Sequence, residues 1–506
     1  MAVNKQLSVI RYQLVRQEAR GERREVSNLR LTTYDLRLKR RDRFGLSRPF
    51  TFLILFLSLT AVACTQNSKI SVSPTNNSPT ESSTELNIWW DKGFTLEEDE
   101  ALQQAAKRWE QQSGNKVRLS FYPTDELLQK AERAIKVGKP PDILMSHRAG
   151  EELNPRLAWE GKLADVSEAI APVKPLYPDL ALKAVNYYNN TERKRSYYAV
   201  PIYQATIHIF YWRDLLEQMG RRDRDIPKDW NGFWEFWSQA QRDLRAKQKR
   251  QIYGLGFPYS MGAVETYFFF EQILEAYDVQ ILDSQGQLRV EEPKVRQGIV
   301  KCLEWYAKFY RQGYVPPEAT NWLNPDNNRS LLNRIVLTTP NLTLSIAAAV
   351  RPDPNVYRYK LGTIEFPDKP SGKPMRLLVT LRQAVVFAQS KHQKLAKDFL
   401  AYLIRPEVIG AYFKAAGGRF LPVNKQVWQD PFWTDPTDPH ISTAMKELIQ
   451  GQTRPFYHVQ NPAYSLVLAE NLWGKALNRI VVDGISPEQA ADEAIARMNQ
   501  IFNRWQ

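Results

Sequence analysis

The sequence predicts an α/β protein built on a mostly parallel sheet, and three observations carry that reading. Short apolar runs alternate with segments of helical period from Leu86 onward. Gly or Thr stands where helices start and stop. A chain of 506 residues, 43% apolar and 12% aromatic, is too long for one ordinary domain and rich enough to fill real cores.

Each element follows in order. "LNIWW", Leu86 to Trp90, reads as a short strand. Glu97 to Gln112 place Leu102, Ala105, Ala106 and Trp109 on one helical face, and Gly114 stands where a left-handed helix stop belongs. "KVRLSFY" alternates Val117, Leu119 and Phe121 as a strand does, which completes a βαβ unit. Thr124 is placed to cap a second helix with Leu128, Ala131 and Ile135 inward and Gly138 at its end; "PPDILMSH" then supplies a buried strand. In such sheets ligands lie beyond the carboxyl ends of the strands. Trp89, Trp90 and Asp91 follow one strand, and Ser146 and His147 another.

Charge divides the chain unevenly. The net charge is +14, yet residues 1–50 alone carry 13 Lys/Arg against 5 Asp/Glu, and Thr51 to Ala63 carry none. The basic excess therefore lies mostly in the leader, and nucleic acid is not an expected partner. A basic segment, a short apolar run and small residues form the pattern of a secretory signal peptide, expected over residues 1–63. The run is short for a membrane helix, which needs roughly 17–25 apolar residues. It ends in Ala61-Val62-Ala63-Cys64, which resembles a bacterial lipobox with Ala in place of the usual Leu; the resemblance implies cleavage before Cys64 and lipidation of its thiol. An ordinary signal peptide that happens to hold a cysteine is the plainer reading. Residues 64–84 are a Ser/Thr/Asn/Pro tether with nothing to pack, and the leader is long enough to place the expected translation start downstream of residue 1. A twin-arginine signal is disfavoured, because Arg40-Arg41-Asp42-Arg43-Phe44 lacks the usual spacing to Phe.

Several stretches in order resemble a known family: "AAKRWEQQSGNKVRLSF", "GKPPDILM", "EGKLADVSEAI", "YYAVPIYQATIHIFYWRDLLEQMG" and "IPKDWNGFWEFWSQAQ". "LDSQGQLRVEEP", "KLAKDFLAYLIRPEV", "AAGGRFLPVNKQVW" and "VVDGISPEQAADEAIARM" continue the order. Together they resemble the extracellular solute-binding proteins of bacterial sugar-type ABC importers, the maltose-binding-protein-like family, across about Glu85 to Trp505. The resemblance implies a two-lobed periplasmic-binding-protein fold with strands crossing between lobes near Pro201 to Thr206, Gly362 to Pro367 and Gly418 to Pro422. Lobe one is expected over 85–204 plus 367–418, and lobe two over 205–366 plus 419–506. It implies capture of a sugar, oligosaccharide or polyol-type solute outside the membrane and delivery to an ABC permease with its ATPase, by a lipid-anchored monomer of the cell envelope or periplasm without a cofactor or metal.

The 14 Trp residues need sorting before any is given to a ligand. Trp230, Phe233, Trp234 and Trp237 recur at helical spacing and read as a core face; Leu303, Tyr306 and Tyr310 beside Cys302 read the same way, with Cys302 buried. Trp322, in the aperiodic, polar "EATNWLNPDNN", is the preferred sugar platform against plain loop packing, and Trp90 is a second. Among polar candidates, Asp91 is suited to accept ligand hydroxyls or to cap the next turn. His147 is suited to donate to a ligand or to satisfy local backbone. Ser146 ends a strand, and Tyr203 and Gln204 occupy the first crossing. Arg382 and Arg419 are suited to hold a ligand or to pair with a neighbouring carboxylate; Arg454 and Tyr457 follow in "TRPFYHVQ".

Two departures from the resemblance bear on the solute. "LLNRIVLTTPNLTL" has Pro340-Asn341-Leu342 where relatives place a Gly-x-Trp turn, and Thr380-Leu381-Arg382 stands where they have Gly-Gly. One aromatic platform is thus missing and a fork-shaped cation present, which leaves a smaller polyol glycoside or an acidic solute open. No Gly-x-Ser-x-Gly, His-Glu-x-x-His or phosphate-cradling glycine loop occurs, and the five His are scattered, so no enzyme is predicted. A secreted hydrolase is the remote alternative, since paired carboxylates have no fixed sequence spacing. A solute-binding fold kept as a sensor or envelope interaction lipoprotein is the nearer one.

Overall fold

The computed structural model describes residues 84–248, 251–324 and 326–505. Cys64, the signal segment and all but the last residue of the tether lie outside the described residues.

The first βαβ unit forms as the residue pattern dictates. Strand β1 (Glu85–Asp91) pairs in parallel with β2 (Lys116–Tyr122), and the helix Leu96–Ser113 between them buries Leu102, Ala105, Ala106 and Trp109. Gly114 ends that helix at φ 73°, a left-handed conformation that costs a side-chain-bearing residue about 1 kcal/mol. The second helix spans Thr124–Lys136, but Thr124 does not cap it. Pro123 occupies the cap position and no side chain bonds to the helix end; a proline there leaves no hydroxyl to accept the orphan amides. Strand β3 (Ile143–Met145) then runs parallel to β1 on its other side.

Thirteen strands are described in all. The others are β4 (Asn186–Asn189), β5 (Lys194–Tyr197), β6 (Val200–Thr206), β7 (His208–Trp212), β8 (Tyr253–Leu255), β9 (Val336–Asn341), β10 (Leu361–Ile364), β11 (Arg376–Val386), β12 (Leu421–Pro422) and β13 (Gln452–Pro455). They make a seven-stranded sheet in the order β12-β6-β11-β3-β1-β2 with β13 beside β11, a four-stranded sheet β10-β7-β9-β8, and the hairpin β4-β5.

The large sheet departs from the expected mostly parallel arrangement. Only its β2-β1-β3 side and the β11/β13 pair are parallel; β11 runs antiparallel to both β3 and β6, and β12 antiparallel to β6. The reason lies in the traffic between sheets. β6 leaves the large sheet toward the small one, with Ile207 alone separating it from β7, whereas β11 returns from β10 and enters from the opposite direction. Strand β11 is long enough to serve both directions. Its first four residues pair with β13, its middle with β6 and its end with β3, with a register shift between Arg382 and Gln383. A third passage runs through Gly417 and Gly418, both at positive φ, where a β-carbon on Gly418 would stand 2.7 Å from Ile441 Cδ1.

The aromatic helix Trp230–Gln248 buries Trp230, Phe233, Trp234 and Trp237, and Trp305 closes on Trp230 and Trp234 at ring separations of 5.0 and 5.5 Å. In the helix Pro293–Arg311, Cys302 is fully buried with Sγ 3.8 Å from the Ile273 carbonyl, and burial pushes its thiol pKa up. It packs as a small apolar residue.

Candidate functional site

The carboxyl ends of β1 and β3 bring Asp91 and His147 together. Asp91 Oδ2 accepts the His147 backbone N–H and lies 3.4 Å from His147 Nδ1. Ser146 caps the short helix His147–Glu152 by accepting the Ala149 N–H, so it fixes the backbone that presents His147. Burial, reinforced by the charges of Arg382 and Arg419, holds the His147 ring well below its usual range. The ring is therefore neutral. Its Nε2 meets the Tyr203 hydroxyl, and Tyr203 stacks on Phe420 at 3.8 Å. Burial pushes the Asp91 carboxyl up to about 7, against the pull of the His147 N–H and the two guanidiniums.

Two buried ion pairs flank this chain. Arg382 on β11 donates through Nη1 to Glu151 Oε1 at 2.6 Å and to the His147 carbonyl at 2.8 Å, and the Thr380 hydroxyl donates to the same Glu151 oxygen at 2.5 Å. Arg419, delivered by the Gly417-Gly418 passage, reaches Glu98 at 3.0 and 3.2 Å and lies 4.4 Å over the Phe420 ring. Both arginines thus take the ion-pairing alternative read from the sequence. Asp91 Oδ1, Glu151 Oε2 and the Nε groups of Arg382 and Arg419 are buried without a hydrogen-bond partner.

The other sequence candidates fall elsewhere. Gln204 donates to the Pro422 carbonyl at 2.9 Å and ties β6 to β12. Asn341 binds Asn328 and accepts the Thr343 N–H at 3.0 Å. The Tyr457 hydroxyl accepts the Ile281 N–H at 3.1 Å, with Arg454 stacked 4.3 Å over its ring. Trp90 and Trp322 are only 1% and 5% exposed and offer no open ring face in this conformation. Trp90 lies on a strand flanked by neighbours on both sides, and Trp322 folds inward directly after the turn Pro317–Asn321.

Beside the polar cluster opens a cleft of about 290 Å³ that the sequence reading did not locate. One wall is Trp159, at the end of the helix Asn154–Trp159, with Tyr187, Tyr188 and Arg195 of the β4-β5 hairpin. Across from it stand His458, Gln460 and Trp505. Trp159 touches both sides, with ring separations of 5.5 Å to Tyr188 and 5.9 Å to Trp505. On that side, burial and the Arg382 charge hold the His458 pKa down at about 3. The only advance signal was local composition, aromatics among amides in "NYYNN" and "FYHVQNP".

A family model described as bacterial extracellular solute-binding protein matches residues 104–443. This chain belongs to that family. Solved structures of similar fold include an ABC transporter solute-binding protein from Thermotoga lettingae bound with alpha-D-tagatose, with TM-score 0.68 and 19% identity over 83% of this chain and 100% of that one. Maltose-bound MalE3 of T. maritima gives 0.67 and 18% over 83% and 100%. UgpB of Mycobacterium tuberculosis, in complex with glycerophosphocholine, gives 0.66 and 17% over 84% and 100%. These likenesses establish the two-lobed fold of this solute-binding family member. A curated relative, the multiple sugar-binding protein of Streptococcus mutans, is 20% identical over 244 residues, 46% of this chain and 53% of that protein. The chain thus spans about half the length of that relative.

Proposed function

We propose that this family member captures a sugar- or polyol-type solute outside the cytoplasmic membrane and delivers it to an ABC permease with its ATPase. The observation that carries the reading is the direct handover from β6 in the large sheet through Ile207 to β7 in the small one. Strands that pass straight between two sheets form a hinge, and a solute touching both lobes stabilises the closed form by its differential affinity for it. Lobe one comprises 85–204 plus 367–418, and lobe two 205–366 plus 419–506. Asp91, Ser146, His147, Tyr203, Arg382 and Arg419 form the floor beneath the solute. The relatives that carry tagatose and maltose support the solute class.

A monomer anchored by a lipid on Cys64 fits this role, because a tethered receptor stays near its permease. Replacing Cys64 by Ser is expected to release the protein from membranes; unchanged membrane association and mass would exclude the anchor. The binding reading is tested by a thermal-shift screen of sugars, polyol glycosides and small anions, since a ligand at 100 times its Kd stabilises by about 2.7 kcal/mol. One neutral class is expected to score, and mass spectrometry is expected to recover it intact. Turnover of the hit would replace capture by catalysis.

A further inference from the structure

A second cavity, of about 390 Å³, opens where the chain returns from the small sheet to the large one. One wall is the stretch between β10 and β11, with Glu365, Phe366 and Asp368, followed by Met375 and Leu377 at the entry to β11. The other is the end of the helix Ile441–Gln450 and the turn into β13, with Lys446 and Glu447. None of these residues lines the cleft beside Trp159. Charge in this cavity is unbalanced. Its single lining cation, Lys446, is already paired with Glu365 at 2.6 Å. Asp368 is half-buried, and among the described residues its carboxylate has no ion-pair or hydrogen-bond partner. Glu447 is 6% exposed; its Oε2 lies 2.6 Å from His208 Nδ1, and its Oε1 is buried without a hydrogen-bond partner. Burial raises the Glu447 pKa and His208 opposes the rise, while Glu365 and the Phe366 amide, both in the facing wall, stand close enough to act on it. The carboxyl group thus belongs to the cavity.

From this geometry we infer that the cavity is a second binding site, separate from the solute cleft, for a small alkylammonium ion. The ammonium group donates to Glu447 Oε1 and to Asp368, and the aliphatic body lies against Phe366, Met375 and Leu377. A buried carboxylate oxygen without a partner is satisfied only by a donor, and a charged donor serves it about twice as well as a neutral one. An anionic ligand would meet the three carboxylates, and a bare metal ion would find no group of three or more ligating side chains among the described residues. The volume lies within the roughly 300–1,000 Å³ usual for small-molecule pockets. Position gives the site its consequence. Glu447 is held by His208, the first residue of β7 after Ile207, and the facing wall is the return passage into β11. The bound cation therefore clasps two passages between the sheets, and it favours whichever arrangement of them it binds more tightly.

The test titrates the mature protein calorimetrically with butylammonium at constant ionic strength, with butanol, butyrate, sodium and magnesium as comparison probes. Butylammonium is expected to saturate and to bind at least tenfold tighter than any of the four. Asp368→Asn, a near-isosteric change at a half-buried position without a partner, is expected to weaken it tenfold or more without lowering the melting temperature of the unliganded protein. Lys446→Ala removes a side chain that is 58% exposed and frees Glu365. It is expected to tighten butylammonium threefold or more, a gain that a damaged fold would not produce. Butylammonium that does not saturate, that binds no tighter than a comparison probe, or that is indifferent to either substitution would overturn the site. Solute capture is judged by its own screen of sugars and polyol glycosides, and none of these outcomes bears on it.

Discussion

Arg382 Nη1 stands 2.6 Å from Glu151 Oε1, and both side chains are almost fully buried. The cation that the sequence places beside the cleft is therefore neutralised within the protein, and Thr380 and the His147 carbonyl complete the arrangement.

This pair governs stability more than solute choice. Removing one partner of a buried pair strands the other, at a cost of ~3–5 kcal/mol, whereas replacing both by apolar residues is often nearly neutral. Arg382→Ala is expected to lose that amount in urea unfolding, and Arg382→Leu with Glu151→Leu to recover most of it. A single Arg382→Ala within about 1 kcal/mol of the parent would contradict the pairing.

Glu275 makes a second, more exposed-to-acid junction. It accepts from Lys369 and Arg376 at 2.8 Å and from Arg454 at 2.7 Å, joining the helix Val264–Ala276 to the start of β11 and to β13. Burial alone would raise its pKa, but the three cations prevail and hold it at about 2, below the ordinary 4.5. A depressed carboxylate contributes stability that is present above the unfolded pKa and is lost as pH falls through the folded one. The contribution, about 3 kcal/mol at neutral pH, is expected to vanish as pH drops from about 4.5 to about 2. Melting curves of the parent and Glu275→Gln across that window should converge; a constant gap would show that Glu275 is not the titrating group.

Trp322 serves the core of its loop. At 5% exposure, its replacement by Ala is expected to cost ~3–5 kcal/mol through the cavity left behind. Equilibrium unfolding measures this directly. A stable Trp322→Ala variant with impaired solute binding would return the residue to the role of ligand platform.

The βαβ start, the aromatic helix face and the burial of Cys302 were legible because periodicity and caps act over a few residues. The grouping of Asp91, His147, Tyr203, Arg382 and Arg419 was legible in part, since strand ends and crossings are local features that point to one region. Their partners were not, because Glu151 and Glu98 meet Arg382 and Arg419 across separations of 231 and 321 residues.

The sequence by itself determined the α/β class, the family and the core faces of its helices, all of which rest on residue order over short spans. Only the tertiary structure decided that β11 opposes β6, that Arg382 and Arg419 are spent on buried glutamates, and that Trp159 touches Trp505 edge-on. Such facts depend on which distant surfaces meet, and burial assigns a charge or a ring its role only after that meeting has removed it from water.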